Sequence, residues 1–215
     1  MDTPNAPEPR PKRHWTSNSA LLAALAALTL VLVWVAQGTR ERIAANQRSG
    51  ITAGLSALMP KGSYDNDLLA DAFTVIAPDL LGTDRPVTIY PAWRDGKPVA
   101  AILRPIAPDG YRGPIELLVA IAYDGTLIGV QVLQHDETPG LGDAFEKRER
   151  DWLDDFAGRS LQNPPQQRWT VRRDGGDFDA FTGATITPRA IVKAVRRSLE
   201  FYQANRERIF AAKGD

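Results

Sequence analysis

An uninterrupted apolar stretch near the N-terminus is the strongest hydrophobic pattern in this chain. From Ala20 to Ala36 every residue but one threonine is apolar. With residues 15–37 as outer limits, a helix covers about 35 Å at ~1.5 Å per residue, which is enough to cross a bilayer. We therefore predict a retained transmembrane helix over residues 19–37. A cleaved signal peptide is the alternative, because residues 36–38 have the small-x-small form of a cleavage site.

The flanks of this predicted span divide the rest of the chain into three parts. Residues 1–18 are rich in proline and polar side chains, a composition that predicts a disordered tail. Residues 38–60 carry an apolar stripe that predicts a juxtamembrane helix ending at a proline. Residues 61–215 form the remaining domain. Basic residues are nearly balanced on the two sides of the span, so the positive-inside rule does not decide its orientation.

Short apolar runs separated by turn residues predict a β-sheet beyond the membrane segment. Asp95-Gly96 and Asp124-Gly125 are typical of tight hairpin turns. Because the strands come first and a long amphipathic helix comes last, we predict an α+β fold with an antiparallel, twisted sheet flanked by helices. Strands are predicted over residues 73–76, 87–93, 98–106, 115–123, 127–133 and 168–172, and helices over residues 143–156 and from residue 188 onward.

A loop of small residues precedes the predicted C-terminal helix. Thr187 is a candidate N-cap, and Pro188 has the fixed φ that suits a first helical position. We expect Thr185 at or just before the helix N-terminus, where free N–H groups and the helix dipole favour an anion. Gly183 allows close approach to the backbone. This pattern suits a phosphate bound or esterified to Thr185, and it also suits an ordinary capped loop.

Composition narrows the chemistry further. The 215 residues contain 26 basic and 26 acidic side chains, so charge gives no reason to expect nucleic-acid binding. The chain has no cysteine, which excludes iron–sulfur ligation by thiolates, thiol redox chemistry and disulfides within it. Any electrons that it handles must be carried by an organic cofactor. The sequence contains no dinucleotide-binding fingerprint and no P-loop.

The segment His135-Asp136-Glu137 raises the question of a metal site. Neighbouring side chains on an extended segment point to opposite faces, and the only other histidine, His14, lies in the N-terminal tail. We therefore predict no metal site. A single usable histidine and the lack of a nucleophile elbow also argue against a Ser-His-Asp hydrolase, and no catalytic residue is predicted.

Three motifs in order carry a resemblance to a known family. Asp179–Thr185 fits the pattern Asp-x-x-Ser/Thr-Gly-Ala-Thr and resembles the flavinylation motif of proteins that carry FMN on the last threonine. Glu137–Gly142, Glu-Thr-Pro-Gly-Leu-Gly, looks like the second signature of FMN-binding subunits of the Rnf electron transport complex. Gly110–Ile115 matches the opening of that domain. With the membrane segment in front, the chain resembles the family of Rnf-complex G subunits.

The resemblance implies a covalent flavin. FMN would be joined to Thr185 by a phosphoester, after transfer from FAD by a flavin transferase. Arg189, in the first turn after Thr187, is a candidate partner for the phosphate. The other cofactor-binding residues implied by the matched motifs are Asp179, Thr182, Gly183, Ala184, Glu137, Thr138, Gly140, Leu141 and Tyr111.

The resemblance also implies a role and a location. The chain would be an electron-relay subunit of a ferredoxin:NAD oxidoreductase that moves Na⁺ or H⁺, with no independent turnover. It would contact the other subunits and the lipid bilayer of the inner membrane, with its N-terminus cytoplasmic and its domain periplasmic. The alternatives are the C subunit of the related sodium-translocating NADH:quinone reductase, a free-standing extracytoplasmic flavoprotein and, without redox chemistry, a single-pass membrane adaptor.

Overall fold

The computed structural model of the chain describes residues 15–146 and 152–211. It divides into two compact units, Met1–Ser49 and Gly50–Asp215. Of the predicted disordered tail, residues 1–14 lie outside the described residues. The side chains not described within this range are those of residues 15–18, 40, 41, 43–45, 47 and 146.

The first described element is a long helix, α1 (Trp15–Leu58). Its stretch Ser19–Thr39 is long and apolar enough to cross a membrane, by length and composition. The large apolar side chains of this stretch are exposed, with Trp34 at 76%. The helix continues through position 37 without interruption, so the predicted boundary between residues 19–37 and 38–60 is not marked by a break, and the domain limits stay a prediction.

Six strands in the described ranges form one antiparallel sheet, as predicted. The strands are β1 (Phe73–Val75), β2 (Val87–Arg94), β3 (Lys97–Leu103), β4 (Ile106–Ala107), β5 (Ile115–Ala122) and β6 (Leu127–Gln134). Strand β5 pairs with β6 along one edge and with β3 and β4 along the other. The turns at Asp95-Gly96 and Asp124-Gly125 connect β2 to β3 and β5 to β6, and Gly96 and Gly125 have φ of +72° and +94°.

Both faces of the sheet are covered, which explains why its central strands read as continuous apolar runs. Alternate residues of β5 enter two different cores. Val119 packs in the core that includes the C-terminal helix α3 (Ile186–Ala211), whereas Leu118 packs in the core that includes Leu55 from the end of α1. A short helix, α2 (Pro78–Leu81), connects β1 to β2. The predicted long C-terminal helix and the α+β class are therefore confirmed.

The predicted strand over residues 168–172 is wrong. The chain instead forms two single turns of 3₁₀ helix, Gln166–Arg168 and Arg172–Asp174, and makes only an isolated bridge between Val171 and Phe178. Trp169 and Val171 are buried while the arginines beside them are exposed. That alternation resembles a strand in the sequence, but it arises because two side chains of a loop are buried.

The predicted helix over residues 143–156 is present within the described residues only as short helical segments. Ala144–Glu146 and Trp152–Phe156 are 3₁₀ turns, and residues 147–151 lie outside the described residues. Trp152, Leu153 and Phe156 are buried. The spacing of these three apolar residues is that of one helical turn. In the structure a short 3₁₀ segment is enough to bury them.

Candidate functional site

Loops from three parts of the chain border one cleft of about 270 Å³. The first loop precedes β5, the second follows β6, and the third precedes α3. These three loops contain the three sequence motifs. The lining residues are Tyr111, Glu137, Thr138, Leu141, Gly142, Gly183, Ala184, Thr185, Ile186 and Thr187.

Three of the predicted cofactor-binding residues do not line this cleft. The Asp179 carboxylate lies 3.2 Å from Arg172 Nε, and its main-chain carbonyl accepts a hydrogen bond of 2.9 Å from the indole of Trp152. The backbone N–H of Gly140 donates to the Asp143 carboxylate at 2.7 Å. Thr182 is exposed. Their part in cofactor binding rests on the motifs alone. The other seven predicted residues all line the cleft.

A buried carboxylate joins the three loops. Glu137 is only 4% exposed. Its Oε2 accepts a hydrogen bond from the Thr187 hydroxyl, and its Oε1 accepts one of 3.1 Å from the backbone N–H of Arg112. The predicted N-cap role of Thr187 is wrong, because its hydroxyl is directed to Glu137 within the first turn of α3. A carboxylate that is buried away from water needs hydrogen-bond donors. These two contacts therefore make Glu137 a structural link between the three loops.

Two glycines allow Glu137 to be packed so tightly. A Cβ on Gly142 would lie 2.8 Å from Glu137 Oε2, and a Cβ on Gly110 would lie 3.0 Å from Oε1 and 2.2 Å from the Gly113 carbonyl oxygen. Larger residues would displace either the carboxylate or the neighbouring loop. Both glycines belong to the matched motifs, but the motifs do not indicate that they pack against Glu137.

Thr185 directly precedes α3, as predicted. Its carbonyl accepts a backbone hydrogen bond of 3.3 Å from Arg189, which places it at the start of the helix. Gly183 has a φ of +83° within the tight turn where the Ala184 N–H donates to the Phe181 carbonyl at 3.1 Å. That left-handed conformation favours glycine. The turn presents the Thr185 side chain in the wall of the cleft.

The cation next to Thr185 differs from the one predicted. Arg189 forms a two-contact ion pair with Asp174, at 2.5 and 2.6 Å. This hydrogen bonding lowers the pKa of the Asp174 carboxyl and raises the pKa of the Arg189 guanidinium. Arg173 Nη1 instead lies 3.3 Å from Thr185 Oγ1. No motif or spacing in the sequence pointed to Arg173, because its approach to Thr185 depends on the turn formed by Arg172–Asp174.

The mouth of the cleft is apolar. Tyr111, Leu141 and Ile186 are 65%, 48% and 45% exposed. Exposed apolar side chains that meet at one cleft with a few polar groups are typical of small-molecule sites. Ile186 was not among the predicted residues, since it appears in the sequence only as the first apolar position of the helix.

Aromatic side chains support the loops from beneath. The ring of Phe181 packs against Trp152 at 5.0 Å and against Phe145 at 6.2 Å between centroids, and Phe145 contacts the His135 ring at 4.9 Å. The His135 Nδ1 atom accepts the backbone N–H of Glu137 at 3.2 Å. His135 therefore stabilises the loop after β6.

Comparison with known proteins agrees with the motifs. Residues 110–200 match the model of the FMN-binding domain. The G subunit of the ion-translocating oxidoreductase complex from Pseudomonas aeruginosa (strain UCBPP-PA14) is 46% identical over 201 residues, 93% of this chain and 94% of that protein. The proteins of the same name from Pseudoalteromonas atlantica and Shewanella loihica are each 44% identical, and the alignments cover 95% and 91% of this chain and 95% and 93% of those proteins.

Identity at this level over nearly the whole length extends far beyond the three motifs. It includes the N-terminal segment and the sheet as well as the loops around the cleft. The FMN-binding domain agrees with the expectation that an electron-carrying chain without cysteine uses an organic cofactor. The chain belongs to the family of G subunits of ion-translocating oxidoreductase complexes, a family of electron-transport subunits with an FMN-binding domain.

Proposed function

We propose that this chain is an electron-relay subunit of a membrane-bound, ion-translocating ferredoxin:NAD oxidoreductase and carries FMN joined by a phosphoester to Thr185. The observation that carries the proposal is the place of the Thr185 side chain, in the wall of the cleft and directly before α3. Family membership and the matched FMN-binding domain support it.

The surroundings of Thr185 fit the phosphate end of FMN. Helix α3 is 26 residues long, and the free N–H groups and dipole at its N-terminus favour a negative charge. The Arg173 guanidinium adds a full positive charge beside the hydroxyl. Gly183 removes side-chain bulk where the cofactor must pass close to the backbone.

The mouth of the cleft fits the ring end. Tyr111, Leu141 and Ile186 offer apolar and aromatic surface against which a flat ring can pack. At about 270 Å³ the cleft is slightly smaller than the usual range for small-molecule sites, roughly 300–1,000 Å³. A site of this size encloses part of a cofactor and leaves another part accessible, as a relay between partner proteins requires.

When bound, FMN supplies reversible electron transfer, which no side chain of this chain can provide. Thr185 holds the cofactor by a covalent bond, so retention does not depend on affinity and the effective concentration stays high. Glu137 and Thr187 keep the walls of the cleft together, and the apolar mouth offers surface against which the ring can pack. We assign no proton transfer and no catalytic residue to this chain.

We further propose how the chain is placed in the cell. The relatives are subunits of a complex by name, and we propose that this chain also contacts other subunits. Residues 19–37 would cross the inner membrane, residues 1–18 would be cytoplasmic, and residues 38–60 would form a juxtamembrane segment leading to the periplasmic domain, residues 61–215. A flavin transferase would load Thr185 from FAD.

A denaturing gel viewed under ultraviolet light tests the covalent bond. The full-length chain is produced with and without a flavin transferase, beside Thr185→Val and Thr185→Ser. We expect a fluorescent band for the wild type only with the transferase, no fluorescence for Thr185→Val, and retained fluorescence for Thr185→Ser because it keeps a hydroxyl. A dark wild-type band, with an unmodified mass for the peptide containing Thr185, would refute the proposal and favour a non-redox adaptor.

A further inference from the structure

We propose that Arg173 is a positioning residue for the covalent attachment at Thr185. Its guanidinium holds the hydroxyl before the phosphoester forms and pairs with the phosphate oxygens afterwards. This inference rests on the proposed function. Arg173 lies 12 residues before Thr185, outside all three sequence motifs, and reaches it from the 3₁₀ turn Arg172–Asp174.

The contact between the two side chains has a defined direction. Arg173 Nη1 lies 3.3 Å from Thr185 Oγ1. A guanidinium can only donate, so the hydroxyl oxygen accepts and its own hydrogen stays available for removal. The remaining N–H groups of the planar guanidinium suit the oxygens of a phosphate, which arginine can bind in a bidentate manner.

Of the arginines near Thr185, Arg173 is the one available to pair with a phosphate. Arg172 is paired with Asp179 at 3.2 Å, and Arg189 is paired with Asp174. In the part of the chain that the structure describes, Arg173 forms no ion pair with a carboxylate. The Asp174 carboxylate, which is paired with Arg189, attracts Arg173 without a direct ion pair, so the Arg173 guanidinium remains available to an anion at Thr185.

The turn that carries Arg173 is held on both sides. The Arg172 N–H donates to the Phe178 carbonyl at 2.7 Å, and the Asp174 carboxylate is fixed to α3 by Arg189. Because the turn is held in this way, the backbone that carries Arg173 needs no ordering when the phosphate arrives. Pre-organisation of that kind strengthens binding because less conformational entropy is lost.

The attachment can be written with its atoms balanced. Thr185 Oγ1 forms a bond to the flavin-side phosphorus of FAD, and the bond from that phosphorus to the bridging oxygen breaks. AMP leaves with the bridging oxygen and the bonding electron pair, while the hydroxyl proton passes to solvent or to a base of the transferase. Nothing is oxidised or reduced. The new phosphodiester carries one negative charge next to Arg173, where charge-assisted hydrogen bonds are strong.

The test compares four full-length proteins: wild type, Arg173→Gln, Arg173→Lys and Arg94→Gln. Arg94 is exposed at the end of β2, so its substitution removes the same charge away from the cleft. Each protein is incubated with purified transferase and FAD, and flavin attachment is followed by intact mass. The fluorescence anisotropy of the attached flavin is then measured, which reports how firmly the cofactor is held.

We expect Arg173→Gln to be labelled roughly tenfold more slowly, as for the loss of one charge-assisted contact in the transition state, and to show lower anisotropy. Arg173→Lys should be intermediate, because it keeps the charge without the planar fork. Arg94→Gln should behave like the wild type. Wild-type rate and anisotropy in Arg173→Gln would overturn the inference while leaving covalent attachment intact. An unlabelled wild type would instead overturn the proposed function.

Salt dependence gives a second measurement on the wild type alone. Because an exposed ion pair is screened at about 1 M salt, flavin anisotropy should fall toward the value of Arg173→Gln as salt is added. If Arg173→Gln is misfolded, as shown by the lack of a cooperative unfolding transition, the salt titration of the wild type tests the pairing of Arg173 with the phosphate by itself. Constant anisotropy across the salt range would then contradict the pairing of Arg173 with the phosphate.

Discussion

The hydroxyl of Thr187 donates a hydrogen bond to the buried carboxylate of Glu137, 50 residues earlier in the chain. This bond connects the loop after β6 to the first turn of α3. The same carboxylate accepts the backbone N–H of Arg112, which adds the loop before β5. One side chain thus holds together the three segments that border the cleft.

Removing the hydroxyl of Thr187 tests this connection. Thr187→Val preserves the shape of the side chain but leaves Glu137 Oε2 without its donor. We expect the free energy of unfolding to fall by about 1–3 kcal/mol, since a buried polar group loses its partner. Urea unfolding of the full-length chain in detergent, followed by tryptophan fluorescence, measures the change.

The control for this prediction is a double-mutant cycle. In a Glu137→Leu background the valine substitution should have much less effect, because no carboxylate remains to be satisfied. Equal effects of Thr187→Val in the two backgrounds would show that the hydrogen bond does not contribute to stability.

Two buried tryptophans provide a matched pair for testing the attachment loop. Trp152 Nε1 donates to the Asp179 carbonyl at 2.9 Å, whereas Trp169 Nε1 donates to the Ser160 carbonyl at 3.2 Å. Trp152→Phe and Trp169→Phe should each lower stability by about 1–3 kcal/mol, as expected for a lost buried hydrogen bond and reduced packing. Only Trp152→Phe should also slow flavin attachment, because Trp152 is the one of the two tryptophans that donates a hydrogen bond to the Asp179–Thr185 loop.

The comparison is read from two measurements on each variant. Unfolding in urea gives the stability change, and intact mass after incubation with transferase and FAD gives the attachment rate. Similar slowing in both variants would mean that general destabilisation, rather than the Asp179 contact, controls attachment.

An ion pair between Asp109 and Lys193 predicts a pH dependence of stability. The Lys193 ammonium donates a hydrogen bond to the Asp109 carboxylate and thereby lowers the pKa of that carboxyl from its ordinary value of 3.8. Because the folded-state pKa is the lower one, the stabilisation is fully present above the unfolded-state pKa and is lost as the pH falls through the folded-state pKa. Asp109→Asn should therefore reduce stability at pH 7, and the difference should shrink below about pH 4.

Thermal unfolding from pH 3 to pH 7 measures this difference. The effect should be small, since both side chains are about half exposed. In a Lys193→Met background, the pH-dependent effect of Asp109→Asn should be much smaller, with only the attraction of Arg197 for the Asp109 carboxylate remaining. A difference that persists unchanged at pH 3 would argue that Asp109 acts through its shape or backbone contacts instead.

Local patterns determined much of this protein. An apolar run of helical length, Asp-Gly pairs between apolar runs, and an amphipathic C-terminal pattern depend on neighbouring residues, and the helices and hairpins appear where these patterns predicted them. Thr185 also lies directly before α3 as expected, because a helix start is encoded within a few residues. Seven of the ten predicted cofactor-binding residues line one cleft. The matched motifs identified these residues, but tertiary packing brought the three motifs together.

Tertiary packing decided the rest. The alternation over residues 168–172 predicted a strand, but Trp169 and Val171 are buried from a loop that makes an isolated bridge between Val171 and Phe178. The bond from Thr187 to Glu137 and the approach of Arg173 to Thr185 join residues 50 and 12 positions apart. Contacts of this kind depend on how the loops are brought together when the apolar faces of sheet and helix are buried, and hydrophobic periodicity along the chain carries no information about them.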